Sequence, residues 1–222
     1  MTTIGGVPEV SVFPRTYRLQ SPSPPSNGSE YHPAQNWNSI CSVNSMTSIV
    51  DVVFKSARVE TRKGRELEVR PFSLEDFEAL VRMYKSFEPK RVAQGIPPPD
   101  VPRIAHWLDR LAQKSQALLA WDGGKVVAHT ILCPMPGNSV EFTIFVHQDY
   151  REEGLGTALS RRTLEWALQT GFAQVYLTTE ISNFRALRLF RKLGFQTTSS
   201  YGDEVEMKLD LSTFDFHLRR AA

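Results

Sequence analysis

The sequence predicts an α/β (α+β) domain with six to seven strands and about four helices. Three observations carry that reading. Residues 116–121 and 125–133 are apolar, β-branched runs joined by Asp122-Gly123-Gly124, a tight hairpin-turn sequence. Residues 141–146, Glu-Phe-Thr-Ile-Phe-Val, form another β-branched and aromatic run, and Gly154 and Gly156 follow where a turn hands over to a helix of about 155–170. Phe77, Leu80, Val81 and Tyr84 recur at i, i+3, i+4 and i+7, the period of a helix with one buried face. With 222 residues, 41% hydrophobic and 23% charged, the chain suits one domain with its own core plus appendages.

Residues 1–45 differ from the rest. They carry Ser21-Pro22-Ser23-Pro24-Pro25-Ser26, only Glu9 and Glu30 as acids, and no sustained periodicity. Such a segment buries too little apolar surface to offset its ordering entropy, so a disordered N-terminal extension is expected. It is Ser-rich and acid-poor, but it lacks the amphipathic, Arg-rich pattern of an organelle transit peptide. Met46 begins the stretch that reads as the domain, 46–211.

Residues 49–72 read as two strands around Arg62-Lys63-Gly64, the second being 66–69. Ser73-Leu74-Glu75-Asp76 is a capping-box-like start for the first helix. Pro97-Pro98-Pro99 interrupts the chain, and Asp100 is placed to cap a second helix with Ile104, Trp107, Leu108 and Leu111 on one side. His106, within it, reads as structural or exposed rather than catalytic. After the hairpin, Pro134, Pro136 and Gly137 break the run, so three adjacent antiparallel strands are expected to end at the glycine turn. Leu155, Leu159 and Trp166 then share a helix face, flanked by Ala158 and Ala167, with Gly171 as a natural stop. Residues 175–179 form a further strand. Asn183 opens the last helix, with Ala186, Leu189, Phe190 and Leu193 inward and Arg185, Arg188, Arg191 and Lys192 opposite. Gly194-Phe195 ends it and starts a strand, 204–211 supplies the last one, and 212–222 reads as a loose tail.

A formal net charge of +2 is too small to argue for nucleic acid, and no Lys/Arg block stands out. No apolar stretch approaches the ~20 residues of a membrane span. Cys41 and Cys133 are too few and too scattered for a disulfide framework or a metal site, and Cys133, in an apolar run, reads as a small buried hydrophobe. The expectation is a soluble, cytoplasmic protein with no metal and neither nucleic acid nor membrane as partner.

The chemistry is concentrated after residue 140. Glycines at a turn-to-helix junction let a ligand approach the backbone, because no Cβ stands in the way. The first-turn N–H groups and the positive dipole end of the helix make an anion site. A Walker loop would need Lys-Ser/Thr after its second glycine, yet Gly156 is followed by Thr157-Ala158. A Rossmann fingerprint would need a third glycine. Strand, turn and helix thus read as a pyrophosphate cradle of another kind.

Arg151-x-x-Gly154-x-Gly156 resembles the acetyl-CoA loop of the GNAT superfamily of N-acetyltransferases. Asn183-x-x-Ala186-Leu187-x-Leu189-Phe190-x-x-Leu193-Gly194-Phe195 resembles its second hallmark, and Trp121-Asp122-Gly123-Gly124-Lys125-Val126-Val127-Ala128 looks like its second and third strands. The resemblance covers roughly residues 55–211 and implies a mixed, mostly antiparallel central sheet. Glu141-Phe142, Val146-x-x-Asp149-Tyr150 with Gly154-Leu155-Gly156-Thr157, and Leu193-Gly194-Phe195 look most similar to bacterial protein lysine acetyltransferases of the Pat type.

The resemblance implies an acetyl-CoA-dependent N-acetyltransferase acting on a primary amine (a protein lysine, an N-terminus or a small molecule) by direct attack in a ternary complex. It implies that the backbone amides of Arg151, Glu152, Glu153, Gly154, Leu155, Gly156 and Thr157 hold the coenzyme A pyrophosphate. Arg151 would add a charge-assisted contact or lie in solvent. Ile144, Phe145 and Val146 should splay from the neighbouring strand so that the pantetheine arm pairs with their backbone, while their side chains also read as core. An N–H near Phe145 or Val146 should polarise the thioester carbonyl. Asn183 contacts the cofactor arm or serves as a plain N-cap. Glu141 is the candidate general base, directly or through water, the alternative being a cross-strand carboxylate, with Glu180 in reserve. Phe190 stands where many members have a tyrosine that protonates the departing thiolate; Tyr201, Tyr150 or water would substitute. Arg185, Arg188 and Arg191 meet cofactor phosphates or form a solvated face, and His129 and His147 flank the site. A non-catalytic acyl-CoA-binding module is the alternative reading, motivated by Phe190.

Overall fold

β1 (Ala57–Glu60), β2 (Glu66–Pro71), β3 (Gln116–Asp122), β4 (Lys125–Met135), β5 (Ser139–Val146), β6 (Gln174–Glu180), β7 (Gln196–Tyr201) and β8 (Glu204–Asp210) form one sheet in the computed structural model, which describes residues 54–90 and 96–214. The spatial order is β1-β2-β3-β4-β5-β6-β8-β7. Every neighbouring pair is antiparallel except β5–β6, which is parallel. The sheet is therefore mixed as expected, with eight strands rather than six to seven. The expected disordered extension and the domain start at Met46 lie outside the described residues.

Among the described residues four helices flank this sheet: α1 (Phe77–Ser86), α2 (Val101–Lys114), α3 (Leu155–Gln169) and α4 (Phe184–Lys192). Ahead of α1, the Asp76 carboxylate accepts the Ser73 N–H at 2.9 Å and is gripped by Arg70 at 2.6 and 2.7 Å. Burial alone would raise the Asp76 pKa, but Arg70 and Ser73 outweigh it and hold the group below the usual carboxylate range. Asp100 caps α2 by accepting the Arg103 N–H at 3.0 Å. The two helices bury Leu80, Tyr84, Ile104 and Leu108 against Leu119, Ile131, Cys133 and Phe145 on one sheet face. α3 and α4 cover the other face, packing Leu159, Leu187 and Phe190 onto Phe142, Leu177 and Met207. Thr130 of β4 and Thr163 of α3 hydrogen-bond at 2.8 Å between them.

Three local expectations change. Pro134 does not end the run but lies inside β4, opposite Val140. Its missing N–H faces the β3 side, where β3 has already ended at the Gln116–Leu132 pair, so no ladder bond is lost. In α4, Leu187 is buried alongside Phe190 while Ala186 and Leu189 are only partly covered. The beginning of the supposed tail is ordered. Asp210 accepts the Ser212 N–H at 2.9 Å, Leu211–Thr213 makes a 3₁₀ turn, and Phe214 joins the core under Arg161.

Tyr84 and His129 form a buried polar pair that periodicity alone does not announce, with the hydroxyl 2.8 Å from Nδ1. Burial pushes the His129 pKa down from 6.5 to about 3 and keeps the Tyr84 hydroxyl protonated. The folded imidazole is therefore neutral, whereas the unfolded chain takes up a proton below pH 6.5. The stabilising contribution is complete above that pH and is lost as pH falls toward 3. Its slope is about 1.4 kcal/mol per pH unit. Urea unfolding at pH 7 and pH 5 should show this loss in the wild type and a flatter profile in His129→Gln.

Candidate active site

β5 and β6 pair only at Ser139, Val140 and Glu141, opposite Gln174, Val175 and Tyr176. Beyond Glu141 they part: β5 continues against β4 and β6 against β8. The His147 N–H donates to the Val127 carbonyl of β4 at 2.9 Å. An antiparallel ladder alternates, so Phe145 and Thr143 also aim their amides at β4, while Ile144 and Val146 aim theirs at the opening left by β6. Of the two amides expected to polarise a carbonyl, Val146 thus fronts the opening and Phe145 does not; Ile144 joins instead. The Ile144 and Val146 side chains pack on the α3–α4 side, and the Phe145 ring sits edge-on to Tyr84 at 5.5 Å on the other.

The loop after β5 begins with a 3₁₀ turn at Gln148–Tyr150 and curls through two left-handed residues, Glu152 at φ +64 and Gly154 at φ +87. The first intrahelical bond of α3 runs from the Ala158 N–H to the Gly154 carbonyl at 3.1 Å. The amides of Leu155, Gly156 and Thr157 precede it and point out of the helix end. A Cβ on Gly156 would meet Leu189 at 3.6 Å and Val146 at 3.8 Å, ordinary contacts, so packing within the chain does not demand glycine there.

Arg151 turns away from these amides. Its Nε donates to the Val146 carbonyl at 3.0 Å, its Nη2 to the Glu88 carbonyl, and its guanidinium lies over Phe87 at 5.1 Å. It is neither a solvent arginine nor pointed at the loop, but a strut between β5 and the end of α1. Glu152 pairs with Arg185 at 2.7 Å, which accounts for one member of the basic α4 face; Arg188 and Arg191 are exposed. Glu153 is 0% exposed, with Lys63 at 3.0 Å and Arg65 at 3.6 Å. These β1–β2 turn cations escaped sequence reading. The only signal was a basic turn in a chain whose loop holds an acidic pair, and opposite charges distant in sequence do not specify contact.

Glu141 is 7% exposed and closes the apex of the opening, on the face of Phe145 rather than of Phe142. Glu180 lies at the far end of β6, half-buried, accepting the Ser182 hydroxyl at 3.3 Å. Asn183 caps α4, its Oδ1 accepting the Ala186 N–H at 3.2 Å. Phe190 is a core ring, 5% exposed and edge-on to Phe142 at 6.3 Å and Phe195 at 5.7 Å. Tyr150 donates to Asp122 at 2.7 Å beneath Arg65, and Tyr201 lies exposed on the outermost strand. His129 is enclosed with Tyr84, while His147 contacts Ser86 and the Asp149 backbone. Among the described residues, no group of three His, Cys, Asp or Glu side chains could hold a metal ion, and no helix is long and apolar enough to cross a membrane.

The arrangement joins an open strand edge with inward amides, a carboxylate at its closed end and an amide-lined loop at the other. It can accept an extended, amide-bearing chain that ends in an anion. A family model described as the Acetyltransferase (GNAT) family matches residues 77–195, more than half of the chain. The chain is 38% identical to N-acetyltransferase family 8 member 3 of Rattus norvegicus over 56 residues, 25% of each protein. It is 30% identical over 99 residues to the ribosomal protein bS18-alanine N-acetyltransferase of Escherichia coli (strain K12), covering 40% of this chain and 67% of that one. The GNAT domain of S. lividans PAT superposes with a TM-score of 0.59 at 22% identity, over 70% of this chain and 96% of that one. Spermidine N-acetyltransferase from Vibrio cholerae, in complex with CoA and spermine, gives 0.55 at 15% identity, over 66% and 96%. At such identities the structural likeness speaks for the fold alone.

Proposed function

This chain belongs to the GNAT acetyltransferase family, and on that premise we propose that it is an acyltransferase that moves the acetyl group of acetyl-CoA to a primary amine, with Glu141 as the base. The observation that carries the reading is the parting of β5 from β6 beyond Glu141. It leaves an unpaired strand edge leading from a buried carboxylate to the amide-lined loop. An amine acceptor is supported by a relative whose name gives an alanine of a ribosomal protein as acceptor.

Acetyl-CoA supplies the activated thioester. The amides of Glu153 to Thr157 receive its diphosphate, helped by the positive end of α3. The Ile144 and Val146 amides donate into the opening, where they stabilise negative charge building on the thioester oxygen. Glu141 removes a proton from the acceptor ammonium, directly or through water, and so frees the nitrogen lone pair. The N–C bond forms as the C–S bond breaks, the acylated nitrogen gives up its second proton, which reaches the departing thiolate through water, and Glu141 passes the first proton to solvent. Phe190 has no proton to give, and general-acid help contributes about 10²–10⁴-fold where present, so its absence slows transfer without forbidding it.

Phe190 also supports a second reading, an acyl-CoA-binding module without turnover. Steady-state thiol release with acetyl-CoA and a panel of amines separates the two. Release that saturates with one amine supports transfer. Tight acetyl-CoA binding with release at background for every amine would replace transfer by binding.

A further inference from the structure

The loop assigned above to a diphosphate contains two acids, Glu152 and Glu153, where negative charge should repel the ligand. Both are neutralised from outside the loop. Arg185 takes Glu152 at 2.7 Å, and the exposed Lys63 reaches the fully buried Glu153 carboxylate at 3.0 Å, with Arg65 at 3.6 Å. Lys63 is the main reason that Glu153 stays below the usual carboxylate range. Arg62, on the same β1–β2 turn, binds the loop's backbone. Its N–H donates to the Glu153 carbonyl at 2.8 Å, and its Nη2 donates to the Glu152 carbonyl at 2.8 Å.

In a trans peptide, each carbonyl and the following N–H point in opposite directions. Holding the Glu152 and Glu153 carbonyls on Arg62 therefore turns the Glu153 and Gly154 amides away from the β1–β2 turn. The loop needs such a restraint, because Glu152 is a non-glycine residue at φ +64, a conformation that L side chains adopt at a cost. A flipped peptide there would relieve that cost and present a carbonyl where an amide is required.

We propose that Arg62 and Glu153 are positioning residues, through which the β1–β2 turn sets the loop amides for a diphosphate before it arrives. This rests on the acetyl-CoA reading of the loop. Neither side chain touches the reacting atoms; the Arg62 guanidinium acts through the Glu152 carbonyl, and so through the Glu153 amide, while the Glu153 carboxylate anchors the same loop to Lys63.

The test uses the full chain as wild type, Arg62→Ala and Glu153→Gln. In the ligand-free proteins, hydrogen exchange of the residue 62 amide, bonded to the Glu153 carbonyl, and of the Ala158 amide, bonded to the Gly154 carbonyl, should accelerate in both variants, while amides of β3, β4 and β5 keep their protection. A merely structural role would loosen both sets together. Calorimetry should show acetyl-CoA affinity falling about tenfold in each variant, and Arg62→Lys, which keeps a donor, should recover part of it. If Glu153→Gln does not fold, Lys63→Ala, which changes a side chain 63% exposed, serves the same purpose. Wild-type exchange and wild-type affinity in Arg62→Ala and in the Glu153 or Lys63 variant would overturn the proposal. Loosened loop amides in the variants, beside a wild type that binds no acetyl-CoA, would keep the brace and remove the cofactor reading.

Discussion

Glu141→Gln should lower turnover of acetyl-CoA with its amine by about 10²–10⁴-fold near neutral pH, the usual worth of a positioned general base. The amide is isosteric, so the apex of the β5–β6 opening keeps its shape while losing its proton acceptor. An acceptor amine with the ordinary lysine pKa of about 10.4 is almost wholly protonated at pH 7. Deprotonation then falls to solvent, and the variant's rate should climb about tenfold per pH unit until the free amine dominates. Acetyl-CoA affinity, read by calorimetry, should survive, because the carboxylate lies at the closed end of the opening and the loop amides at the other. A variant that matches wild-type turnover at every pH would remove Glu141 from the mechanism.

Gly154→Val should reduce acetyl-CoA affinity by roughly 100-fold or more, about 2.7 kcal/mol. Gly154 holds φ +87, and its Cβ position already lies 3.5 Å from Arg62 Nε. A left-handed L residue costs about 1–2 kcal/mol, and a β-branched one more. The chain can escape that strain by rotating the peptides around residue 154, which turns the anion-binding amides aside. Gly156→Ala is the informative companion. Its Cβ fits the chain, and alanine gains about 1 kcal/mol of helix propensity over glycine, so thermal unfolding should show no loss of stability. Any fall in its calorimetric affinity then reports the approach of the ligand rather than damage to the fold. Wild-type affinity in both variants would sink the cradle.

The elements were legible where the code is local. Asp122-Gly123-Gly124 sets a hairpin turn with both glycines at positive φ and the pairing as far as Trp121–Val126, beyond which a β-bulge shifts the register. Phe77, Leu80, Val81 and Tyr84 mark α1, and the Ser73–Asp76 capping box opens the 3₁₀ turn ahead of it. The strand–glycine–helix unit and the Asn183 cap are equally short-range. Pro134 misled because a proline reads as a break until one knows on which side its strand lacks a neighbour. Arg151 misled similarly: a cation beside an anion loop invites a phosphate contact, yet the nearer Val146 and Glu88 carbonyls and the Phe87 ring take it.

The sequence by itself determined the strands, helices and turns of this chain, because hydrophobic period, caps and turn glycines are relations between near neighbours, and its glycine-loop and Asn183 motifs carried the resemblance to the family. Only the tertiary structure decided where β5 leaves β6, which amides face that opening, that His129 is buried on Tyr84 and that Arg62 grips the Glu152 carbonyl 90 residues away. Those outcomes follow from packing and charge pairing between segments far apart along the chain. No local pattern encodes them, since any basic turn or buried ring could have met a different partner.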